Sequence, residues 1–99
     1  MAIHISTLHV AADHPAFDGH FPGQPLLPGV VLLAEVMEAA LAVPELASQL
    51  GSAPRIAAAK FLAPVLPGDL LTITLTNDAT RLRFEVSRGN TVAASGQFQ

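Results

Sequence analysis

Cysteine, tryptophan and tyrosine are absent from this 99-residue sequence, and only five of its residues are lysine or arginine. Without cysteine the chain can form no disulfide and has no thiol chemistry, and its compartment cannot be inferred from redox usage. Five basic residues and a formal net charge of −3 do not provide the clustered cationic face that nucleic-acid binding requires. The composition therefore predicts no nucleic-acid partner.

The sequence also lacks a hydrophobic run long enough to span a membrane, because Pro28, Gly29 and Glu35 interrupt the apolar stretch that begins at Leu26. No basic segment leads into an apolar run at the N-terminus, so no secretory signal is predicted. We expect a cytoplasmic protein without a membrane partner.

Apolar residues, in contrast, are abundant: 51% of the sequence is hydrophobic and 13% is charged. A chain of this length forms one domain, residues 1–99, which buries roughly 65% of its unfolded surface. The apolar excess indicates either a dense core or a surface that is covered in an oligomer. We favour the oligomer, a homodimer or a larger assembly, because so small a chain has a limited interior.

The periodicity of the apolar residues predicts an α+β fold, a sheet of antiparallel strands with one buried helix. The helix begins after Pro28 and is apolar nearly all round, so we expect it to be buried on most faces. A short amphipathic turn and loop is expected from Glu45. The helix is predicted over 29–41. The other predicted elements are strands over 3–12, 55–63, 69–77, 81–88 and 91–99, a turn over 66–69 and a hairpin turn at Gly89-Asn90.

The segment Asp13–Glu35 contains four of the eight prolines, three of the seven glycines and two of the four histidines. Proline fixes φ and glycine permits positive φ, so their alternation constrains the backbone to one path. His20 lies inside this constrained path, close to the start of the predicted helix. A titratable side chain in that setting is a candidate for catalysis.

Two motifs carry a resemblance to a known family. The segment His20–Val30, HFPGQPLLPGV, resembles the HFPGxPxxPGV signature of β-hydroxyacyl-acyl carrier protein dehydratases, which have the hot dog fold, and Phe17–Gly19 matches the F-x-G that precedes it. The segment Lys60–Asp69, KFLAPVLPGD, is similar to the KFxxPVxPGD element of the same family. Ala94–Gly96 is similar to part of the last strand of the same family. The resemblance extends over most of the chain in the expected order.

The resemblance implies a curved antiparallel sheet wrapped around one buried central helix. It also implies that two protomers join their sheets and form an acyl tunnel along their interface. The substrate would be a β-hydroxyacyl thioester, carried by acyl carrier protein, and no cofactor is implied.

The same resemblance implies that His20 is the base that removes the α-proton. A histidine with an ordinary pKa of about 6.5 is partly neutral near neutral pH and can accept this proton. The amide of Gly29 would polarise the thioester carbonyl, since free N–H groups at a helix N-terminus stabilise a developing oxyanion. Other residues expected at the substrate are Phe21, Pro28 and Val30.

The sequence departs from the family at the acid. Family members have a glutamate or aspartate at the position matched by Ala34, whereas Glu35 stands one residue later, rotated by about 100° around the helix. Three interpretations remain: Glu35 supplies the acid through a shifted helix, another group (Asp18, His14, Glu38 or a water) does so, or elimination is impaired.

Two other functions are compatible with the sequence: a hot dog acyl thioesterase, and a non-catalytic acyl-binding or partner-stabilising subunit. A metal site at His14 and His20 is rejected, because no third ligand stands at a suitable spacing.

Overall fold

The computed structural model describes residues 2–15, 26–78 and 80–99, which form a sheet of five strands and two helices. The elements in chain order are β1 (Ala2–His9), α1 (Gly29–Leu41), α2 (Pro44–Leu50), β2 (Ile56–Phe61), β3 (Leu70–Asn77), β4 (Leu82–Arg88) and β5 (Thr91–Phe98). Neither of these two helices is long and apolar enough to cross a membrane.

All neighbouring strands are antiparallel, and their order across the sheet is β1-β3-β4-β5-β2. The register shifts between Ile56 and Ala58 and between Val86 and Ser87, and such irregularities bend a strand and increase its twist. The sheet is curved, and its concave face packs on α1. The predicted α+β fold with a central helix is confirmed.

The alternation that predicted the strands also identifies the inner face of the sheet. On β3, Leu71, Ile73 and Leu75 are buried, whereas the threonines between them are half-buried on the outer face. On β4, Leu82, Phe84 and Val86 are buried in the same way. The Phe84 ring meets Phe98 of β5 edge to face, with 5.8 Å between the ring centroids. These side chains form the core beneath α1.

Helix α1 has the predicted bounds, but it is not buried on most faces. Within the chain it buries one stripe, formed by Leu32, Val36 and Ala40 at helical spacing. A second stripe, which contains Val30, Ala34 and Glu38, is exposed, and Val30 is 77% exposed. We call this second set the exposed stripe. A single sheet covers only one side of a helix, so apolar residues all round the helix do not make it buried all round in one chain.

Two other predictions need correction. The segment from Glu45, expected to be a turn and loop, belongs to α2, because Pro44 is the first residue of a new helix, whose Leu46 and Leu50 are buried. The first strand ends at His9 instead of continuing to residue 12. Val10 then exchanges backbone hydrogen bonds with Gly68 and Asp69 at the turn before β3.

Candidate functional site

The start of α1 presents backbone donors at one edge of the fold. Pro28 is the extended N-cap residue, with φ −59° and ψ 143°, and its carbonyl oxygen accepts the N–H groups of Val31 and Leu32 at 3.0 and 3.2 Å. The N–H groups of Gly29 and Val30 precede these first helical hydrogen bonds. They therefore belong to the helix N-terminus, where the partial positive charge of the helix dipole is concentrated.

An open groove of about 480 Å³ lies beside this helix start, and we call it the apolar groove. Its lining is formed by Leu26, Leu27, Gly29, Leu32, Phe61, Leu62, Ala63, Pro64 and Val65. None of these described residues is titratable. Its two sides are joined where the Leu27 N–H donates to the Val65 carbonyl at 2.8 Å. The groove can therefore hold an aliphatic chain, with helix N–H donors at one end.

The Phe61 ring lies against the backbone of Gly29. A Cβ atom at position 29 would stand 2.7 Å from Cζ of Phe61 and 3.1 Å from both Cε atoms. A methyl group at this position would therefore require the Phe61 ring to move. This contact was not predicted from the sequence, although the aromatic residue in the second motif and the glycine in the first were both visible signals.

We expect Gly29→Ala to destabilise the protein even though alanine is the better helix former by up to about 1 kcal/mol. The added methyl group must displace the Phe61 ring, and overpacking of this kind costs roughly 1–3 kcal/mol. In a Phe61→Leu background the same change should be neutral or stabilising. Urea unfolding of the four proteins of this cycle measures the coupling, and an equal cost of Gly29→Ala in both backgrounds would contradict the contact.

The second motif supports the groove through an ion pair. Asp69 accepts the backbone N–H of Leu66 at 2.8 Å and binds the Arg88 guanidinium of β4 at 2.9 Å. The same guanidinium donates to the Pro64 carbonyl at 3.2 Å. Gly68 has the positive φ, +86°, that the turn prediction allowed. The motif therefore fixes the turn that follows the groove residues Pro64 and Val65.

The carboxylates of α1 lie outside the apolar groove. Ala34 and Glu38 are on the exposed stripe, whereas Glu35 is half-buried and lines a separate cavity of about 20 Å³ that His14 also lines. We call it the His14–Glu35 cavity. Leu27 lines both spaces. Glu35 thus faces its own protomer, and the acid role, which was one of the three interpretations of the sequence, stays a prediction.

The predicted base His20, its neighbour Phe21 and the alternative acid Asp18 lie outside the described residues. Of the other expected substrate contacts, Gly29 lines the groove, Pro28 is the N-cap residue of the helix, and Val30 lies on the exposed stripe. In the described ranges 2–15, 26–78 and 80–99, no group of three His, Cys, Asp or Glu residues could hold a metal ion.

A curved five-stranded antiparallel sheet around a helix, with an apolar groove at the helix start, defines the class of hot dog proteins. A 1,4-dihydroxy-2-naphthoyl-CoA thioesterase from Synechocystis has the same fold, with a TM-score of 0.65 and 22% identity over 98% of this chain and 79% of that one. At this level of identity the likeness concerns the fold alone.

Within that class the family is shown by sequence. The model of the ApeI-like family, described as ApeI dehydratase, matches residues 2–97, and the chain belongs to this family. The dehydratase heterocomplex ApeI:P from Xenorhabdus doucetiae contains a similar chain, with a TM-score of 0.77 and 28% identity over 98% of this chain and 85% of that one.

A curated relative is the 3-hydroxyacyl-[acyl-carrier-protein] dehydratase FabZ of Symbiobacterium thermophilum, which is 35% identical over 89 residues. The matched region covers 86% of this chain but 63% of that relative. The chain therefore spans less than two thirds of the length of this relative.

Proposed function

We propose that this chain removes water from a β-hydroxyacyl thioester, carried by acyl carrier protein, and forms the trans-2-enoyl thioester. The observation that carries the proposal is the apolar groove, which begins at Gly29, whose N–H group belongs to the α1 N-terminus. Membership of a dehydratase family and the dehydratase name of the relative support the same reaction. The cytoplasmic location stays a prediction.

In the proposed reaction the acyl chain lies in the apolar groove and the thioester carbonyl accepts the N–H of Gly29. His20 takes the proton from the α-carbon, and the electron pair of that bond forms the carbon–carbon double bond. The β-hydroxyl group leaves as water after it takes up a proton from a hydrogen-bonded water molecule, which the His20 imidazolium then reprotonates. A water is proposed here because Ala34, at the position of the family's acid, has no carboxylate. The donors at the helix start stabilise the charge on the carbonyl oxygen during this step.

We further propose that the active protein is a homodimer that pairs along β2. This strand is at the edge of the sheet, and five of its six residues are exposed, including Phe61 at 52%. Edge strands with exposed apolar residues and few charges readily pair with another strand. More apolar surface for a second copy to cover is supplied by the exposed stripe of α1 and by Leu62, which directly follows β2 and is 55% exposed.

We expect Ala59→Glu, in the middle of β2, to convert the dimer to a monomer, because paired antiparallel strands would bring two like charges together. Ala53→Glu is the matched control, since Ala53 is exposed in the loop before β2. Sedimentation velocity measures the mass of both variants. A dimeric Ala59→Glu protein, or a monomeric wild type, would exclude pairing through β2.

A second candidate is a subunit that binds acyl thioesters without turnover and supports a catalytic partner. It is favoured by Ala34, which stands where the family has its acid, and by the lack of titratable groups among the described residues of the groove. The similar chain from Xenorhabdus doucetiae was solved in a dehydratase heterocomplex, which agrees with this alternative.

Product analysis separates these functions. The purified protein is incubated with a β-hydroxyacyl-acyl carrier protein, and the thioester is followed by mass spectrometry together with free thiol. Loss of one water supports the proposed dehydratase, and release of thiol without an enoyl product identifies a thioesterase. Binding without either product identifies the acyl-binding subunit.

A further inference from the structure

Arg55 stands directly before β2, at the edge of the sheet where the proposed homodimer pairs. Its side chain is exposed, and its guanidinium makes no hydrogen bond or ion pair with the residues that the structure describes. Its backbone is held in place, because its carbonyl oxygen accepts the N–H of Gln99 at 3.0 Å. Arg55 therefore carries a positive charge that no described residue of its own protomer neutralises.

The apolar groove, in contrast, has no charged group among its described lining residues. Its rim is formed by Phe61 and Leu62, each more than half exposed. An acyl thioester on a carrier protein or on coenzyme A is attached through a phosphopantetheine arm, which has a negatively charged phosphate at its outer end. With the thioester carbonyl at Gly29 and the acyl chain in the groove, this arm leaves across the rim. A cation at the rim would therefore bind the phosphate.

Two cations of the same protomer adjoin this wall of the groove, and neither is suited to the phosphate. Arg88 is engaged, because its guanidinium binds Asp69 at 2.9 Å and donates to the Pro64 carbonyl at 3.2 Å. Lys60 directly precedes Phe61 in β2, and successive side chains of a strand point to opposite faces. The Phe61 ring lies on the helix side of the sheet, so Lys60 lies on the outer face, away from the groove.

The symmetry of the proposed β2 pairing limits where the second protomer places its Arg55. The two-fold axis of an antiparallel edge pair is normal to the sheet and leaves every side chain on its own face. Residues opposite each other in such a pair also share a face. The axis must therefore pass through a residue and not between two residues. The longest overlaps of β2 with its copy have this axis at Ala58 or at Ala59.

Both of these registers bring the partner's Arg55 to the groove. With the axis at Ala58, the partner's Arg55 stands opposite Phe61, and with the axis at Ala59 it stands opposite Ala63. Phe61 and Ala63 both line the groove. The irregularity at the start of β2 changes this position by about one residue, which keeps it beside the same wall. The long arginine side chain then lies at the rim, one strand spacing of about 4.8 Å away.

We propose that Arg55 of one protomer binds the phosphate of a phosphopantetheine thioester whose acyl chain lies in the groove of the other protomer. The planar guanidinium donates two hydrogen bonds to the phosphate oxygens, and each groove is completed by its partner. This role rests on the proposed function for the thioester and on the proposed β2 pairing for the position of the cation.

Calorimetry with unreactive β-hydroxyacyl amide analogues tests the phosphate site without turnover. The three probes are the amide of pantetheine, which has no phosphate, the amide of coenzyme A, and the amide carried by acyl carrier protein. We expect Arg55→Ala to weaken the binding of both phosphate-bearing probes about tenfold, because hydrogen bonds to a charged group are lost. The affinity for the pantetheine amide should stay within roughly twofold of that of the wild type.

Arg81→Ala is the matched control, because Arg81 is also exposed but stands before β4, away from the edge at β2. It should bind all three probes as the wild type does. Equal losses for the three probes in Arg55→Ala, or the same losses in Arg81→Ala, would overturn the phosphate site. A loss confined to the carrier-linked probe or to the coenzyme A probe would identify a contact with that carrier alone and would overturn it as well.

Mixed dimers test whether Arg55 acts across the interface. A chain with His20→Ala keeps Arg55 but lacks the proposed base, and a chain with Arg55→Ala keeps His20. A dimer of the two, purified through two different tags, has one groove with both His20 and the partner's Arg55. We expect the wild-type KM for the carrier-linked substrate with about half of the wild-type kcat. A KM as high as that of the Arg55→Ala homodimer would show that Arg55 does not act across the interface.

The proposed function and the phosphate site fail separately. A protein without any dehydratase activity would contradict the proposed function, and calorimetry would still decide whether Arg55 binds the phosphate.

Discussion

Replacing His20 by alanine is expected to lower the dehydration rate by at least about 100-fold, because a positioned general base contributes roughly 10²–10⁴-fold to a proton transfer. The change removes the one group that the family motif assigns to the α-proton. The donors at the start of α1 and the apolar groove remain, so substrate binding should persist. The measurement is the initial rate of enoyl thioester formation, together with the substrate affinity of the variant.

The control for this variant is His4→Ala, at a residue of β1 that has no part in the proposed site. His4 pairs with Leu75 near the far end of the strand and is half-buried. We expect it to retain the wild-type rate once both variants have been shown to be folded by circular dichroism. Undiminished turnover in His20→Ala would exclude His20 as the base, and with it the proposed mechanism.

Gly96→Ala is expected to have the largest effect on stability, lowering the free energy of unfolding by about 3 kcal/mol, at the upper end of overpacking costs. A Cβ atom at position 96 would overlap the carbonyl oxygen of Ala58 and stand 2.7 Å from the Phe84 ring. The ring could move, but the carbonyl belongs to the backbone of β2 and is held by the pairing with β5. Because β2 ends at Phe61, this change should also disturb the apolar groove.

Gly89→Ala separates packing from backbone conformation. Gly89 has φ +57°, and no heavy atom of the described residues lies within 4 Å of an added Cβ. Its replacement by alanine therefore measures the cost of the left-handed backbone alone, which is roughly 1–2 kcal/mol in the free energy of unfolding. Urea unfolding of both variants gives the comparison. A variant of Gly96 that does not fold agrees with the expectation, whereas a cost no larger than that of Gly89→Ala would show that β2 and β5 separate easily at this point.

Much of the fold could be predicted because local signals agreed with the tertiary structure. Pro28 precedes α1 and Pro44 follows it, so both limits of the helix were marked in the sequence. The alternation of residues in β3 identified the buried face of that strand correctly. Gly68 and Gly89 marked turns that indeed have positive φ. These features depend on backbone constraint and on a period of two residues, which a sequence displays directly.

The site was harder to predict, because it depends on which way each face of α1 points. An apolar pattern all round a helix does not distinguish a face covered by the sheet from a face left for a second copy. The rotation of about 100° between Ala34 and Glu35 was visible, but its consequence was not. Only the fold shows that Glu35 lines a small cavity with His14, and only the fold brings Phe61 over Gly29.

The most direct test of the proposed function is a crystal structure with an unreactive β-hydroxyacyl amide analogue of the thioester. We expect its carbonyl oxygen to accept the N–H of Gly29 at about 3 Å. The acyl chain should lie in the apolar groove between Leu32 and Phe61, with the His20 imidazole at the α-carbon. An analogue bound with its carbonyl away from the start of α1, or with His20 remote from the α-carbon, would contradict the proposed dehydratase site.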